Sequence, residues 1–432
     1  MEAADIAFVV ICAAMVMLMT PGLAFFYGGM IRVKSALNML MMCFIATGIS
    51  SVLWVLYGFS ITFGDSVNGE GNGIIGNFDY LGFSGMLNVE GADSLLTFAV
   101  FQLMFAVLTP ALISGALADR VKFSAWAVFI ALWVTVVYFP VAHWVWGENG
   151  WIGDLEIDGA SVIDFAGGTA VHINAGIAAL AAVLVIGKRI GFKKDPMRPH
   201  NLPMVLLGAA LLWFGWFGFN AGSELAANGT AALMALNTMV ATGTAVLGWL
   251  AYERVRHGAY TTLGAASGAI AGLVAITPSG ANVDPIGAIL IGLVSGVVCA
   301  WGVSLKYKLG YDDSLDVVGV HLFGGIVGTL LVGFLAVDET GGYDGGFAQF
   351  AVQAIAAIAV MAYSFVVTWI LAKIIDSTMG FRASEEEETA GLDLAYHAET
   401  GYDFSQAGSG SVPSSTVPST ADTAAGDKKV DA

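Results

Sequence analysis

Eleven long apolar runs constrain the fold of this chain more than any other feature of its sequence. Each run has the ~18 or more residues that an α-helix needs to cross the hydrocarbon core of a bilayer. The runs do not alternate apolar and polar residues, as the strands of a membrane barrel would. With 57% hydrophobic and 12% charged residues, the sequence predicts an all-α polytopic membrane protein. The runs lie roughly at 5–31, 37–63, 94–118, 123–146, 165–187, 203–222, 231–252, 260–277, 286–305, 314–336 and 347–375.

The basic residues predict the orientation. All 17 Lys and Arg fall in alternate loops or in the C-terminal region, whereas the intervening loops carry acids such as Asp65, Asp154 and Asp338. By the positive-inside rule the basic loops are cytoplasmic, so we expect the N-terminus outside and the C-terminus inside. Eleven spans, an odd number, require that arrangement. The net charge of −17 argues against nucleic acid as a partner.

The two ends of the chain differ in character. The first apolar run lacks a basic leader, so we interpret it as an uncleaved span within a transmembrane domain at 1–380. Residues 381–404 mix acids with apolar and aromatic side chains, which predicts a cytoplasmic regulatory segment that docks on the helix ends. Residues 405–432 are rich in Ser, Thr, Pro and Gly and are expected to be disordered.

No sequence motif predicts a cofactor. The stretch GNGIIG, Gly71 to Gly76, formally matches a glycine-rich dinucleotide loop. Such a loop requires a preceding strand and a following helix, whereas this stretch lies between two membrane helices. We therefore interpret it as an ordinary outer loop.

Two histidines lie within apolar spans, where an ionisable residue usually marks a functional site. His172 and His321 share the local pattern H-x-x-[A/G]-G-I, and each follows an acid. The acids are Asp164, eight residues before His172, and Asp316, five residues before His321. The alternative is that each His is a separate packing residue with its own hydrogen bonds. The matched context favours a shared site.

The positions of the two histidines also predict internal symmetry. They fall in spans five and ten, as expected for two five-helix repeats of opposite orientation that meet near the membrane midplane. Repeat one would cover about 5–187 and repeat two about 203–336, and span eleven, 347–375, would follow both.

Aromatic residues recur in the same spans. Phe101 and Phe105 lie one helical turn apart, so they share a face of span three. An aromatic belt at the membrane interface is the alternative, and we favour it for His143 and Trp144. Further aromatic and polar candidates, on spans four and six, are Tyr138, Trp146, Trp216, Phe219 and Ser223.

Five motifs together resemble the ammonium transporter family (Amt/Mep/Rh), in its ammonium-transporter branch. They are PGLAFFYGGM, YFPVAHWVWG, DFAGGTAVHINAG, FGWFGFNAGSE and DVVGVHLFGGIVG, and the resemblance extends in order from about residue 5 to 404. It implies a homotrimer in the cell membrane with one narrow hydrophobic pore in each subunit. It also implies an outer recruitment site for NH4+, a pair of stacked Phe gates and two His at the pore centre.

Carried over motif by motif, the resemblance assigns these roles to residues of this chain. The recruitment site would be Phe105, Trp146 and Ser223, the gate Phe105 and Phe219, and the pore pair His172 and His321. Asp164 matches the family's buried acid near the recruitment site, and Phe101, Tyr138 and Trp216 are supporting positions.

The resemblance also implies a function and a regulator. The chain would move NH4+ or NH3, with methylammonium as an analogue, and a PII-type protein would bind its cytoplasmic face. An ammonium sensor is the alternative, although we expect a sensor to carry a signalling domain and none is apparent after residue 404. A membrane enzyme with the His pair and Asp164 as metal ligands is less favoured, because it lacks a closed ligand set.

The chemistry of ammonium agrees with these residue types. Selection over K+ must use the hydrogen-bond donors of NH4+ and its contact with aromatic faces, which Trp, Phe and one Ser hydroxyl supply. Beyond a Phe gate, an apolar pore opposes the bare cation, so a proton must leave or be relayed. Neutral imidazoles can accept and donate hydrogen bonds there.

Overall fold

The computed structural model describes residues 1–67, 73–87, 89 and 91–402 as a bundle of packed helices. Gly71 of the glycine-rich stretch, Phe404 of the regulatory segment and the predicted disordered tail 405–432 lie outside the described residues. The main helices are α1 (Ala3–Met30), α2 (Val33–Phe63), α3 (Ala92–Leu117), α4 (Phe123–Trp146), α5 (Gly168–Ile186), α6 (Leu202–Glu224), α7 (Gly229–His257), α8 (Thr262–Ile276), α9 (Pro285–Leu309), α10 (Val318–Leu335) and α11 (Phe347–Met379).

Within the described ranges, ten of these helices are long and apolar enough to cross a membrane. The prediction of an all-α polytopic membrane protein is therefore confirmed. Helix α8, at the place of the predicted span 260–277, has only 15 residues and most of them are buried among neighbouring helices. The count of eleven spans depends on this helix, so the count and the orientation of the two termini stay predictions.

The two helices that carry the histidines begin alike. The first turn of α5, Gly168–Ile173, and the first turn of α10, Val318–Leu322, are π-helical. In α5 the N–H of His172 donates to the carbonyl oxygen of Gly167, five residues earlier, over 3.0 Å. Such wide turns place one extra residue in the helix and often occur at functional sites.

Two glycines let α5 and α10 approach each other closely. A Cβ atom on Gly176 would lie 2.5 Å from the backbone nitrogen of Leu322, and one on Gly325 would lie 2.9 Å from a side-chain carbon of Ile173. Each glycine thus packs on the residue that follows the opposite histidine. This contact explains the shared sequence pattern around the two histidines, because a larger residue at either glycine would separate the rings.

At one end of the bundle the basic loops meet in a buried network centred on Arg120. Its guanidinium donates to the backbone carbonyls of Gly187, at the end of α5, and Asp312, and to the hydroxyl of Ser314; the last two residues precede α10. Burial lowers the pKa of Arg120 to about 10, so it remains protonated at neutral pH. Arg120 therefore ties the ends of both histidine helices to one loop.

The C-terminal segment packs on the same end. It forms a short helix α12 (Glu385–Ala390) and a π-helical turn, Asp393–His397. The buried carboxylate of Glu388 accepts from Ile190 N–H and from Arg382, and Asp393 accepts from the backbone N–H groups of Leu37 and Asn38 near the start of α2. Charge-assisted hydrogen bonds therefore attach the segment to the loop after α5 and to α2.

The opposite end is covered by loops and a small antiparallel hairpin, β1 (Glu156–Ile157) and β2 (Ala160–Ser161). There the aromatic-belt interpretation of His143 and Trp144 is wrong. His143 is fully buried, and its ring nitrogens pair with Thr62 O and Ser66 Oγ. The indole of Trp144 donates to Ile74 O beneath the same loop. A folded loop, which hydropathy does not reveal, shields both residues from lipid.

We predict that Gly176→Ala destabilises the protein by about 1–3 kcal/mol, because the added methyl group overlaps the backbone of Leu322. Thermal unfolding of the purified protein measures the effect. Gly48→Ala is the matched control, since a Cβ atom there meets nothing within 4 Å. Equal melting temperatures for the two variants would contradict the close-packing argument.

Candidate functional site

The start of α5 is held by the buried carboxylate of Asp164. It accepts hydrogen bonds from four successive backbone N–H groups, of residues 167–170, and from the hydroxyl of Thr169. Helices leave such N–H groups unpaired at their first turn, and an unpaired donor away from water is costly. Asp164 thus allows α5 to begin inside the protein. Both of its oxygens are occupied by these donors.

The start of α10 uses Asp313 in the same way. Its carboxylate accepts from the N–H groups of Val317 and Val318, at 3.1 and 2.8 Å. Asp313 lies eight residues before His321, as Asp164 lies eight residues before His172. The sequence pairing of Asp164 with Asp316 was therefore wrong, and the equal spacing was the signal that could have identified Asp313.

Asp316 has a different place. It forms an ion pair with Lys306, with 2.6 Å between Nζ and Oδ1, and its backbone is left-handed with φ of 65°. Gly167, five residues before His172, is also left-handed, with φ of 116°. The chain therefore turns in the same manner before each histidine helix, with Gly in one case and Asp in the other.

The two histidine rings meet in the interior. Nδ1 of His172 and Nδ1 of His321 are 3.3 Å apart, and the rings are nearly parallel with centroids separated by 5.4 Å. His172 is fully buried and His321 is 3% exposed. A hydrogen bond between the two nitrogens requires one donor and one acceptor. Nε2 of His172 is buried and has no hydrogen-bond partner among the described residues.

Trp216 supports His172 from one side. Its indole stacks on the imidazole at 5.4 Å between centroids, and its Nε1–H donates to Thr277 Oγ1 over 2.9 Å. Thr277 contacts Asn220, whose amide donates to Thr238. These polar groups are buried and bonded to one another, so the position of the indole is set by the network. No sequence pattern indicated Thr277, which lies directly after α8 at the end of the predicted span 260–277.

Phe105 and Phe219 face each other directly above the histidines. Their ring centroids are 4.2 Å apart, and Phe219 also lies 6.0 Å from the centroid of His172. Phe101 packs on Phe105 at 5.1 Å, as its spacing of one turn predicted. All three phenyl rings are 0–1% exposed.

Trp146 and Ser223 lie on the less buried side of these rings. The indole of Trp146 is 5.9 Å from the ring of Phe105, and its Nε1–H donates to the carbonyl oxygen of Asp164 over 2.8 Å. Ser223 Oγ donates its hydrogen to Phe219 O, also over 2.8 Å. With that hydrogen used, the lone pairs of Ser223 Oγ remain able to accept. Trp146, Phe105, Phe219, His172 and His321 thus form a continuous series of contacts.

Comparison with known proteins identifies the family of this chain. The family model described as Ammonium Transporter Family matches residues 7–402. An ammonium transporter of Mycobacterium tuberculosis is 54% identical over 445 residues, which cover 95% of this chain and 92% of that protein. This chain belongs to the ammonium transporter family.

Two solved structures resemble this transporter. Saccharomyces cerevisiae Mep2 has a TM-score of 0.81 and 35% identity, with 90% of this chain and 89% of that chain covered. A structure titled Sensor Amt Protein has a TM-score of 0.84 and 31% identity, and 91% of this chain and 98% of that chain are covered. The protein is therefore a multi-pass membrane protein of a family of ammonium transporters, not an enzyme.

Tyr138, a supporting position of the predicted site, lies on α4 as Trp146 does. It ends a π-helical turn of α4, Val134–Tyr138, about two turns before Trp146. Its ring packs on Trp133 and Phe139, and neither residue belongs to the predicted site. The supporting role of Tyr138 stays a prediction.

The geometry does not suit metal binding by the histidine pair and Asp164. Both oxygens of Asp164 accept from the first turn of α5. Within the described ranges, no group of three His, Cys, Asp or Glu side chains could hold a metal ion. The site is instead a series of aromatic rings that ends at two imidazoles.

Proposed function

We propose that this transporter conducts ammonium along the series of contacts from Trp146 to His321. NH4+ would bind at Phe105, Trp146 and Ser223, and the substrate would then pass between Phe105 and Phe219 to the histidine pair. The main support is the continuity of this series, because each member contacts the next, from the partly exposed Trp146 to rings that are all buried.

The proposed recruitment role of Ser223, Trp146 and Phe105 follows from the positive charge of NH4+ and from its hydrogen-bond donors. NH4+ carries only hydrogen-bond donors, and Ser223 Oγ keeps its lone pairs available because its hydrogen is donated to Phe219 O. Ser223 also lies at the C-terminal end of α6, where the helix dipole favours a cation. The faces of Trp146 and Phe105 add cation–π attraction, worth about 1–2 kcal/mol when partly desolvated. The carboxylate of Asp164, a residue whose backbone carbonyl accepts from Trp146 Nε1, would act in the same direction.

The phenyl pair separates this site from the interior. With Phe105 and Phe219 at 4.2 Å, either ring must move before a substrate can pass. Moving a bare cation into an apolar passage is unfavourable, whereas neutral NH3 is not penalised in the same way. We therefore assign Phe105 and Phe219 as the gate at which hydration is lost.

The histidine pair supplies polar partners beyond the gate. Nε2 of His172 has no protein partner in the described ranges, so it is available to the substrate. The contact between the two Nδ1 atoms offers a route for a proton from one ring to the other. Substrate and proton would then cross the same region by separate contacts.

Two further assignments rest on the family. The homotrimer would place three such pores side by side, and a PII-type regulator would bind the end that carries loop 188–198 and residues 384–404. The described part of that segment supports a regulatory role, because Glu388 and Asp393 attach it to the ends of several helices. Helix α5 ends next to this network, through Arg120.

An ammonium sensor is the second candidate, and the resemblance to a structure titled Sensor Amt Protein favours it. The two functions are separated by a proteoliposome assay of ammonium-driven current and pH change. A sensor without transport would bind ammonium and give neither signal.

We predict that Trp146→Leu and Ser223→Ala each raise the half-saturation concentration for ammonium roughly five- to thirtyfold, because each removes a contact worth about 1–2 kcal/mol. Competition by methylammonium should weaken in parallel. The matched control is Trp144→Leu, since that indole is bonded to Ile74 O outside the site. Wild-type half-saturation in both site variants would eliminate the recruitment assignment.

We predict that His172→Ala and His321→Ala give folded proteins with altered charge movement and a raised ratio of K+ to ammonium current. The reason is that each variant removes a buried hydrogen-bond partner and breaks the contact between the rings. Planar-bilayer recordings measure the ratio. His143→Ala is the control, because it removes an equally buried His that pairs with Thr62 and Ser66. It should lower stability and leave the ratio unchanged. An unchanged ratio in both pore variants would refute the assignment.

We predict that a PII-type protein co-purifies with this transporter from cells shocked with ammonium. Charge reversal of two exposed residues of loop 188–198, Lys193→Glu with Lys194→Glu, should reduce the recovered complex. Arg256→Glu, an exposed charge reversal at the end of α7, should not. Absence of a complex with PII homologues, with and without ADP, would argue against the proposal.

A further inference from the structure

A buried glutamine on α11 holds the backbone beside the recruitment site. Gln353 is fully buried, and its amide makes three hydrogen bonds. Oε1 accepts from Ile163 N–H over 2.7 Å, while Nε2 donates to Ile163 O over 2.7 Å and to Thr329 O over 3.2 Å. We propose that Gln353 is the positioning residue of the ammonium recruitment site, acting through Ile163 and Asp164 on Trp146.

The pairing of Gln353 with Ile163 is bidentate and backbone-directed. One amide side chain binds both the N–H and the C=O of the same residue, much as a neighbouring β-strand would. An amide buried among apolar helices is costly unless it is bonded, and here both of its N–H donors and its carbonyl are used. These two hydrogen bonds therefore restrict the backbone dihedral angles φ and ψ of Ile163.

Asp164 is the next residue, so its position follows from that of Ile163. The carbonyl oxygen of Asp164 accepts from Trp146 Nε1, and its carboxylate accepts from the first turn of α5. A shift of the 163–164 backbone would move the indole of Trp146 and the start of the His172 helix together. Gln353 contacts neither Trp146 nor the phenyl rings directly, which is why its role is one of positioning.

The third hydrogen bond extends the connection to the other histidine helix. Thr329 belongs to α10, eight residues after His321, and a Cβ atom on Gly168 would lie 2.8 Å from its hydroxyl. One side chain on α11, outside both predicted repeats, thus touches the approach to α5 and the body of α10. Helix α11 would therefore contribute to the recruitment site, a role that the sequence did not indicate.

Gln349 provides an internal comparison. It lies one helical turn before Gln353, is 1% exposed, and donates to Ser161 O over 2.7 Å. Its partner belongs to β2, and its hydrogen bonds among the described residues do not reach α5 or α10. The two glutamines therefore match in residue type, burial and helix face. They differ in their partners, since Gln353 bonds to Ile163 and Gln349 bonds to β2.

The experiment compares Gln353→Met with Gln349→Met, since Met has a similar length and no amide. The inference rests on the proposed recruitment site, so Trp146→Leu is measured beside them. The readouts are half-saturation and maximal ammonium-driven current for monodisperse protein in proteoliposomes. We expect Gln353→Met to raise half-saturation about two- to tenfold with little change in maximal current. Gln349→Met should leave half-saturation within about twofold of the wild type.

A double variant tests whether Gln353 acts on half-saturation through Trp146. If Gln353 acts through Trp146, adding Gln353→Met to Trp146→Leu should raise half-saturation by less than about twofold more. Full additivity would overturn the proposal, as would equal effects of Gln353→Met and Gln349→Met. Should Gln353→Met fail to fold, Gln353→Glu takes its place, because its buried, protonated carboxyl group keeps the acceptor for Ile163 N–H and only one of the two donors.

These measurements distinguish failure of the positioning role of Gln353 from failure of the recruitment site. A raised half-saturation for Trp146→Leu with a wild-type value for Gln353→Met would overturn the positioning role and leave the recruitment site in place. An unchanged value for Trp146→Leu would overturn the recruitment site, and the positioning role with it.

Discussion

The capping of two helix starts by buried carboxylates is the interaction on which the rest of the site depends. In a membrane protein a helix that begins away from water must find internal partners for its first N–H groups. Asp164 and Asp313 supply them for α5 and α10. Without these caps neither helix could begin where it does, and His172 and His321 would not come within 3.3 Å of each other.

The aromatic series depends on the same construction. Gly176 and Gly325 allow α5 and α10 to touch, and this contact brings the imidazoles to the phenyl pair on α3 and α6. The carbonyl of Asp164 then fixes Trp146 above that pair. Trp146 is partly exposed and the phenyl and imidazole rings beyond it are buried, so we expect a cation that binds first at Trp146 to lose water as it proceeds.

The helical fold could be predicted because apolar length decides it, and the short helix α8 shows where length alone leaves the count open. The histidine pair was predictable because two matched motifs in one chain are rarely independent. Asp313 was missed because proximity in sequence favoured Asp316, although the left-handed turn at Asp316 faces Lys306 instead. His143 and Gln353 depend on contacts between distant segments, and local sequence patterns do not contain that information.

The π-helical first turns of α5 and α10 constrain the number of residues in these two segments. A π-helical turn holds one residue more than an α-helical turn, so its length matters independently of its composition. Deleting a single residue between Gly168 and Ile173 would close the wide turn to α-helical spacing and change the directions of the side chains inside it, that of His172 included. The His172 ring would then leave its partner even if every remaining side chain were retained. The length of these segments is therefore constrained independently of which residues they contain.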